Sequence, residues 1–243
     1  MENLATTKVS KIVAQNYRTA KVFTNFDIDF CCNGGIPLED ACRNKGLSIE
    51  EVIKSVEEML VQPDGQNFEQ MSPSRLISYI VCNHHAYVES TMPILQAYLA
   101  KLCAVHGERH PELFKVKTLF DETAVALTEH MKKEEFILFP FITALYNALE
   151  NGSELPKPNF GHIDNPIAMM QDEHAAEGSR FRKISALTDH YRTPSDGCQT
   201  YKVAYAVLQE FEQDLHKHIH LENNILFPGA LSLYQTAYSG HLE

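Results

Sequence analysis

Leu127-Thr128-Glu129-His130-Met131-Lys132-Lys133-Glu134-Glu135-Phe136-Ile137-Leu138-Phe139-Pro140 is echoed 88 residues later by Leu215-His216-Lys217-His218-Ile219-His220-Leu221-Glu222-Asn223-Asn224-Ile225-Leu226-Phe227-Pro228. Seven of the fourteen positions are identical: Leu127, His130, Glu134, Ile137, Leu138, Phe139 and Pro140 fall on Leu215, His218, Glu222, Ile225, Leu226, Phe227 and Pro228. A repeat of this kind makes a helical chain two copies of one unit. Phe120, Thr123, Leu127, His130, Glu134, Ile137 and Phe141 step by 3 and 4, the core-facing stripe of a bundle helix. Leu208, Phe211, Leu215, His218, Glu222, Ile225 and Gly229 step identically. Each helix is therefore expected to aim one His and one Glu, a turn apart, into an apolar interior.

An unpartnered polar group in such an interior costs roughly 1–3 kcal/mol, and a charge far more. Carboxylates and imidazoles escape that penalty around a bound cation. Two further helices supply more donors: His85 lies on the stripe Val81, His85, Val88, Met92, Leu95, and His174 on Met170, His174, Glu177, Phe181, Ile184. His84 competes with His85 but falls beside its stripe, so His85 is preferred. The expected metal ligands are His85, His130, Glu134, His174, His218 and Glu222. Six donors exceed a tetrahedral structural zinc and divide into two metals with two His each and two bridging carboxylates, with positions left open for water, oxide or a small ligand. Such a mixed set favours non-haem iron over manganese or zinc. Two carboxylates only partly neutralise two iron ions, so an oxide or hydroxide bridge is expected to complete the balance.

Around this centre the chain reads as all-α. Short helices are expected at Val9 to Phe26, Leu38 to about Lys45, and Ile49 to Leu60, the last opened by a capping box of Ser48 with Glu51. Gln62-Pro63-Asp64-Gly65-Gln66-Asn67 is polar and helix-breaking and marks the domain boundary. Residues 1–65 form the expected small helical domain and residues 72–243 the expected four-helix bundle. Ser72-Pro73 starts a long helix to about Cys103, Pro111 a second to Leu149, Asn165-Pro166 a third to about Tyr191, and the fourth runs from about Cys198 to Leu233.

The 243 residues carry 21 basic and 32 acidic side chains, a net charge of −11, with 12 His and no Trp. That sign removes the long-range attraction to nucleic acid or anionic lipid, so neither is an expected partner. Apolar content of 44% with 22% charged residues excludes a disordered chain. The start, Met1-Glu2-Asn3-Leu4-Ala5-Thr6-Thr7-Lys8, has neither the basic opening nor the apolar run of a signal peptide. A cytoplasmic location and six reduced cysteines are therefore expected.

The H…HxxxE…H…HxxxE arrangement resembles a hemerythrin-like bundle. Asp27-Ile28-Asp29-Phe30-Cys31-Cys32, followed by Asn33 and the pair Gly34-Gly35, resembles the short N-terminal domain of the repair-of-iron-centres proteins, the ScdA/YtfE group. The resemblance covers essentially the whole chain. It implies a di-iron protein, each iron held by two His and both bridged by Glu134 and Glu222, that helps restore iron–sulfur clusters damaged by nitric oxide or peroxide. It places the ligands on the same six positions, His85 included. The four-His pattern departs from the asymmetric five-His site of oxygen-carrying hemerythrins. The resemblance also suggests a homodimer and, as transient partners, damaged iron–sulfur proteins.

Three functions compete. One is a stress-response repair protein that supplies iron or redox equivalents to damaged clusters. Another is an enzyme reducing nitric oxide or dioxygen at open metal positions; the third is a reversible sensor of a diatomic ligand. Cys31-Cys32 is either an ordinary thiol pair in a tight loop or a functional one that passes electrons, holds metal in transit or docks a partner. Cys42, Cys82, Cys103 and Cys198 are expected as isolated, core-type thiols. Glu173 is expected as an exposed helical acid, and His216 and His220 at the surface or flanking the metal. Solvated roles suffice for His106, His110, His162, His190 and His241.

Overall fold

The computed structural model describes residues 3–60 and 68–238. The expected boundary at residues 62–67, and His241, lie outside the described residues. Among those described the chain is helical with no strand, and a single antiparallel bridge joins Lys8 and Pro37. No helix among them is long and apolar enough to cross a membrane. They form two compact units, one drawn from Met1–Leu76 with Lys217–Glu243 and the other from Ile77–His216.

The first unit begins with α1 (Val9–Gln15), α2 (Ala20–Asn25), α3 (Leu38–Lys45) and α4 (Ile49–Leu60). Val9, Ile12, Val13, Phe23, Leu38, Val52 and Val56 form its fully buried core. The single helix expected from Val9 to Phe26 is broken at Asn16. Its backbone is extended (φ −152°) and its side chain accepts from Arg18 N–H at 3.0 Å, starting a 3₁₀ turn, Tyr17–Thr19. An Asn side chain that satisfies its own downstream backbone competes in this way with helix continuation. Of the capping box at α4, one bond forms: Glu51 N–H donates to Ser48 Oγ at 3.4 Å, and the Ser48 hydroxyl donates to Glu50.

The second unit is built on the bundle helices α6 (Ala86–His106), α7 (Glu112–Lys133), α9 (Asp164–Leu187) and the part of α10 (Gln199–Leu221) up to His216, with the end of α5 (Pro73–Tyr79) leading into α6 and α8 (Phe139–Asn151) extending α7. Past α10 the chain continues, in the first unit, as α11 (Phe227–Tyr238). α7 packs on both α6 and α9. Phe211 of α10 meets Phe120 of α7 edge-on at 5.4 Å and stacks on Phe181 of α9 at 5.8 Å. This aromatic layer is fully buried, and each ring removes a large apolar area from water.

α9 stops at Leu187, short of Tyr191, because Asp189, His190 and Tyr191 all take left-handed φ of 47°, 56° and 62°. Such residues cost of order 1–2 kcal/mol each. The turn is held by Tyr191 N–H to Thr188 Oγ1 at 3.1 Å and by the Tyr191 hydroxyl to Glu212 at 2.8 Å.

Among the described residues, three π-helical turns interrupt the long helices: Ile80–His85 between α5 and α6, Glu134–Leu138 between α7 and α8, and Glu222–Leu226 between α10 and α11. Phe139 N–H bonds the Glu134 carbonyl and Phe227 N–H the Glu222 carbonyl, five residues back rather than four. Pro140 and Pro228 follow directly. Proline offers no N–H and its ring crowds the carbonyl four residues earlier, so widening the turn relieves both conflicts. The extra residue shifts the core stripe by one position. Ile137, expected inside, is 45% exposed and Leu138 is buried in its place; likewise Leu226 is buried where Ile225 was expected.

Candidate metal centre

Within the bundle unit, His85, His130, Glu134 and His174 come together from α5–α6, α7 and α9, all with no more than 2% exposure. Glu134 opens the π turn that ends α7, which keeps its side chain on the inward face while the residues after it rotate away. Its two oxygens face different helices. Oε2 is 3.4 Å from His85 Nε2, and Oε1 is 3.4 Å from His130 Nε2. His174 Nε2 approaches His130 Nε2 to 3.0 Å. Ligand atoms of His130, Glu134 and His174 all lie within 4.8 Å of one another.

The opposite edges of two of these imidazoles are held by acids. His85 Nδ1 bonds Glu135 at 2.6 Å and His130 Nδ1 bonds Glu173 at 2.8 Å, with Lys133 also paired to Glu173. A carboxylate on Nδ1 fixes the proton there and leaves the Nε2 lone pair facing inward, as metal-binding histidines require. Burial works to raise the Glu173 carboxyl, but its bonds from Lys133 and His130 outweigh that and hold it below the usual carboxylate range. Glu173 is thus no simple surface acid. Glu135 also lines an open groove of about 560 Å³ with Ile77, Val81, Phe139 and Pro140, which brings solvent to within one side chain of His85.

His84 is as buried as His85, because the π turn carries both inward, but its Nδ1 bonds Asp214 at 2.9 Å. That contact, not burial, separates the two. Glu177, another buried acid on the α9 stripe, is answered by the Thr123 hydroxyl at 2.9 Å and by Arg180.

In the other unit, His218 Nε2 lies 2.9 Å from Glu222 Oε1, both essentially without exposure, and Glu222 again opens a π turn. Close by is the N-terminal loop. The Cys31 carbonyl accepts from Asn224 at 3.3 Å and from Asn223 at 3.5 Å, and Phe30 and Tyr17 pack around His220. His220, 1% exposed, is therefore not at the surface; burial pushes its pKa down to about 4.

The Cys31 and Cys32 sulfurs are 3.6 Å apart. Asp29 ties their loop down by accepting from the backbone N–H of Cys31, Cys32 and Asn33 and from the Asn33 side chain. Burial raises the Asp29 carboxyl, but these bonds prevail and leave it below the ordinary value. The Cys32 thiol and then burial push Cys31 well up, so it is protonated at neutral pH unless a metal displaces the proton.

The donor chemistry fits a metal. Separations of 3.4 Å exceed an ordinary imidazole–carboxylate hydrogen bond. They leave room for an ion that the two donors would hold between them. Imidazoles around a fully buried carboxylate, with acids behind two of them, are a donor set that suits a cation.

Sequence spacing did not find Glu135, Glu173 or Asp214 as imidazole partners. A carboxylate adjacent to a ligand on an opposing helix was the one available signal. His110 is partly buried between Glu112 and Asp196, whereas His162 and His190 are exposed. His106, expected to be solvated, is 3% exposed and bonds Cys198. Cys42 and Cys103 are buried as expected, while Cys82 and Cys198 are exposed.

Comparison with known proteins places these features. The family described as hemerythrin HHE cation binding domain matches residues 76–230, and ScdA_N, described as a domain of unknown function, matches residues 5–60. The iron-sulfur cluster repair protein ScdA of Staphylococcus haemolyticus is 30% identical over 220 residues, covering 90% of this chain and 95% of its own. A probable iron-sulfur cluster repair protein of Haemophilus influenzae is 30% identical over 233 residues, covering 95% and 99%. The iron-sulfur cluster repair protein YtfE of Yersinia pestis is 32% identical over 215 residues, covering 88% and 91%.

Proposed function

The chain belongs to the hemerythrin HHE cation-binding family, in the two-part arrangement of the ScdA/YtfE iron–sulfur cluster repair proteins, and from that premise we propose that it repairs damaged clusters by holding iron and giving it up. The observation that carries this reading is Glu134, a fully buried carboxylate whose two oxygens face imidazoles from two different helices. In this reading His85, His130, His174 and His218 would hold two iron ions, two His to each. Glu134 and Glu222, the matching acids of the two repeats, would be shared between the two ions. Iron bound there would supply the metal that a depleted cluster lacks.

The protein's own residues set the conditions. Glu135 and Glu173 keep the Nδ1 protons of His85 and His130, so the Nε2 lone pairs stay available. The imidazoles are neutral ligands and only two carboxylates are committed, which limits how strongly iron is retained and suits a site that must release it. Glu135, at the edge of the groove, is the exit assigned to the His85 side. Cys31 and Cys32, soft donors beside Asp29, take iron in transit. Iron–sulfur proteins are the partners, and the site of action is the cytoplasm.

The test is transfer. Iron-loaded protein incubated anaerobically with an iron-depleted cluster enzyme should restore its activity while losing iron itself, and Cys31→Ser with Cys32→Ser should slow that transfer. No recovery with iron retained overturns the donor role. Catalytic consumption of nitric oxide with iron retained would assign the chain to an enzyme instead.

A further inference from the structure

At the end of α6 opposite His85, about 30 Å away along the helix, His106 and Cys198 make an arrangement that cluster repair does not use. Cys198 is exposed and stands immediately before α10, in the helix-capping position. The Tyr201 N–H donates to the Cys198 carbonyl at 3.0 Å, and the first N–H groups of α10, those of Thr200 and Tyr201, favour the charged form of the sulfur, as the N-terminus of a long helix does. His106, the last residue of α6, is 3% exposed and points Nε2 at the sulfur from 3.3 Å.

The proton on His106 is placed by its other neighbour. An Arg109 guanidinium nitrogen is 3.3 Å from His106 Nδ1, and a guanidinium can only donate. Nδ1 therefore carries the lone pair and Nε2 carries the proton, directed at the Cys198 sulfur. The nearby acid is kept occupied: Asp196 is paired with Arg109 at 3.0 Å and with His110 at 3.0 Å, and His110 also meets Glu112. The Tyr201 ring packs edge-on against both imidazoles and closes the inner side. The His106 bond first, then the two backbone donors, lower the Cys198 pKa to about 7, whereas burial pushes Cys42 and Cys103 up.

We propose that Cys198 is a modification site, a thiolate prepared by His106 and the α10 N-terminus that exchanges with low-molecular-weight disulfides. The Cys198 sulfur attacks one sulfur of the small disulfide, a new protein–ligand S–S bond forms as the old one breaks, and the displaced thiolate leaves with the bonding electron pair. No net oxidation occurs. The protein is left carrying a mixed disulfide at the bundle end away from the histidine cluster.

With a pKa near 7, about half of Cys198 is thiolate at pH 7, against about 1% for a thiol of pKa 9. The lower basicity reduces intrinsic nucleophilicity about eightfold, leaving a net advantage of about sixfold. The test treats the reduced full-length protein with glutathione disulfide across pH 5–9.5 and measures Cys198 occupancy by peptide mass spectrometry. A peptide of residues 195–202 provides the unperturbed reference. Cys198 in the protein should react about sixfold faster than the peptide at pH 7, with its rate rising through a midpoint near 7, and should lose that advantage above pH 9. His106→Gln, with unchanged circular dichroism, should move the midpoint upward and cut the pH 7 rate severalfold while sparing the rate at pH 9.5. Equal rates and profiles for protein and peptide, or a His106→Gln profile identical to the parent's, would overturn the proposal. If His106→Gln does not fold, the protein–peptide comparison decides it.

Discussion

Removing the Glu173 carboxylate should weaken metal binding although Glu173 touches no metal in the proposed site. In Glu173→Ala, His130 Nδ1 loses the acceptor that holds it at 2.8 Å. The ring is then free to change tautomer or rotate, and the Nε2 lone pair facing Glu134 is no longer enforced. A hydrogen bond to a charged group contributes about 1.5–3 kcal/mol. The Glu173 side chain is 35% exposed and is shared with Lys133, so solvent screening places the loss near the lower end, about 1.5 kcal/mol. That corresponds to about tenfold weaker binding at the His130 side, within the range found when partners of metal-bound histidines are removed. The assay is anaerobic competition for ferrous iron against a chromophoric chelator, with circular dichroism as a fold control. Glu129→Ala, which removes an exposed acid next to His130 on α7, should bind as the parent does. Glu173→Gln, which keeps an acceptor but no charge, should fall between. Glu173→Ala binding as tightly as Glu129→Ala would refute the assignment of Glu173 as the group that positions His130.

Glu134→Leu should abolish binding of at least one metal, yet leave the metal-free protein no less stable by thermal unfolding, because an apolar side chain replaces a buried carboxylate. Asp29→Ala should destabilise the N-terminal unit by about 1–2 kcal/mol at pH 6 by freeing the N–H groups of Cys31, Cys32 and Asn33. The folded Asp29 carboxyl lies below its ordinary value, so its contribution is complete above the unfolded pKa of about 3.9 and is lost as pH falls through the lower folded value. Thermal unfolding of parent and variant should therefore converge only in strong acid. Tyr191→Phe, which loses the bond to Glu212 at the left-handed turn, should cost about 1 kcal/mol in urea unfolding with an unchanged slope and unchanged metal content.

The bundle was legible because its decisive features are local. Helical spacing alone put Leu127, His130 and Glu134 on one face, and the 88-residue echo did the same for Leu215, His218 and Glu222. The π turns were not legible, since a regular 3.6-residue period has no place for an inserted residue, and so Ile137 was expected inside. Pro140 and Pro228 were visible, but a proline after a long helical run reads equally as an ending. Contacts across helices were hidden for a different reason. Glu173 reaches His130 from 43 residues away, Glu135 reaches His85 from 50, and Cys198 meets His106 from 92. No periodicity within one segment carries such pairs. The early end of α9 depends on three left-handed residues that propensity disfavours and that Thr188 and Glu212 impose.

Iron content measured after anaerobic reconstitution, on the parent and on Glu134→Leu side by side, tests the central claim most directly. Two iron ions per parent chain, with at least one lost in the variant, is the predicted result. A parent that binds one iron or none, or a Glu134→Leu protein that still binds two, would contradict a di-iron centre bridged by Glu134.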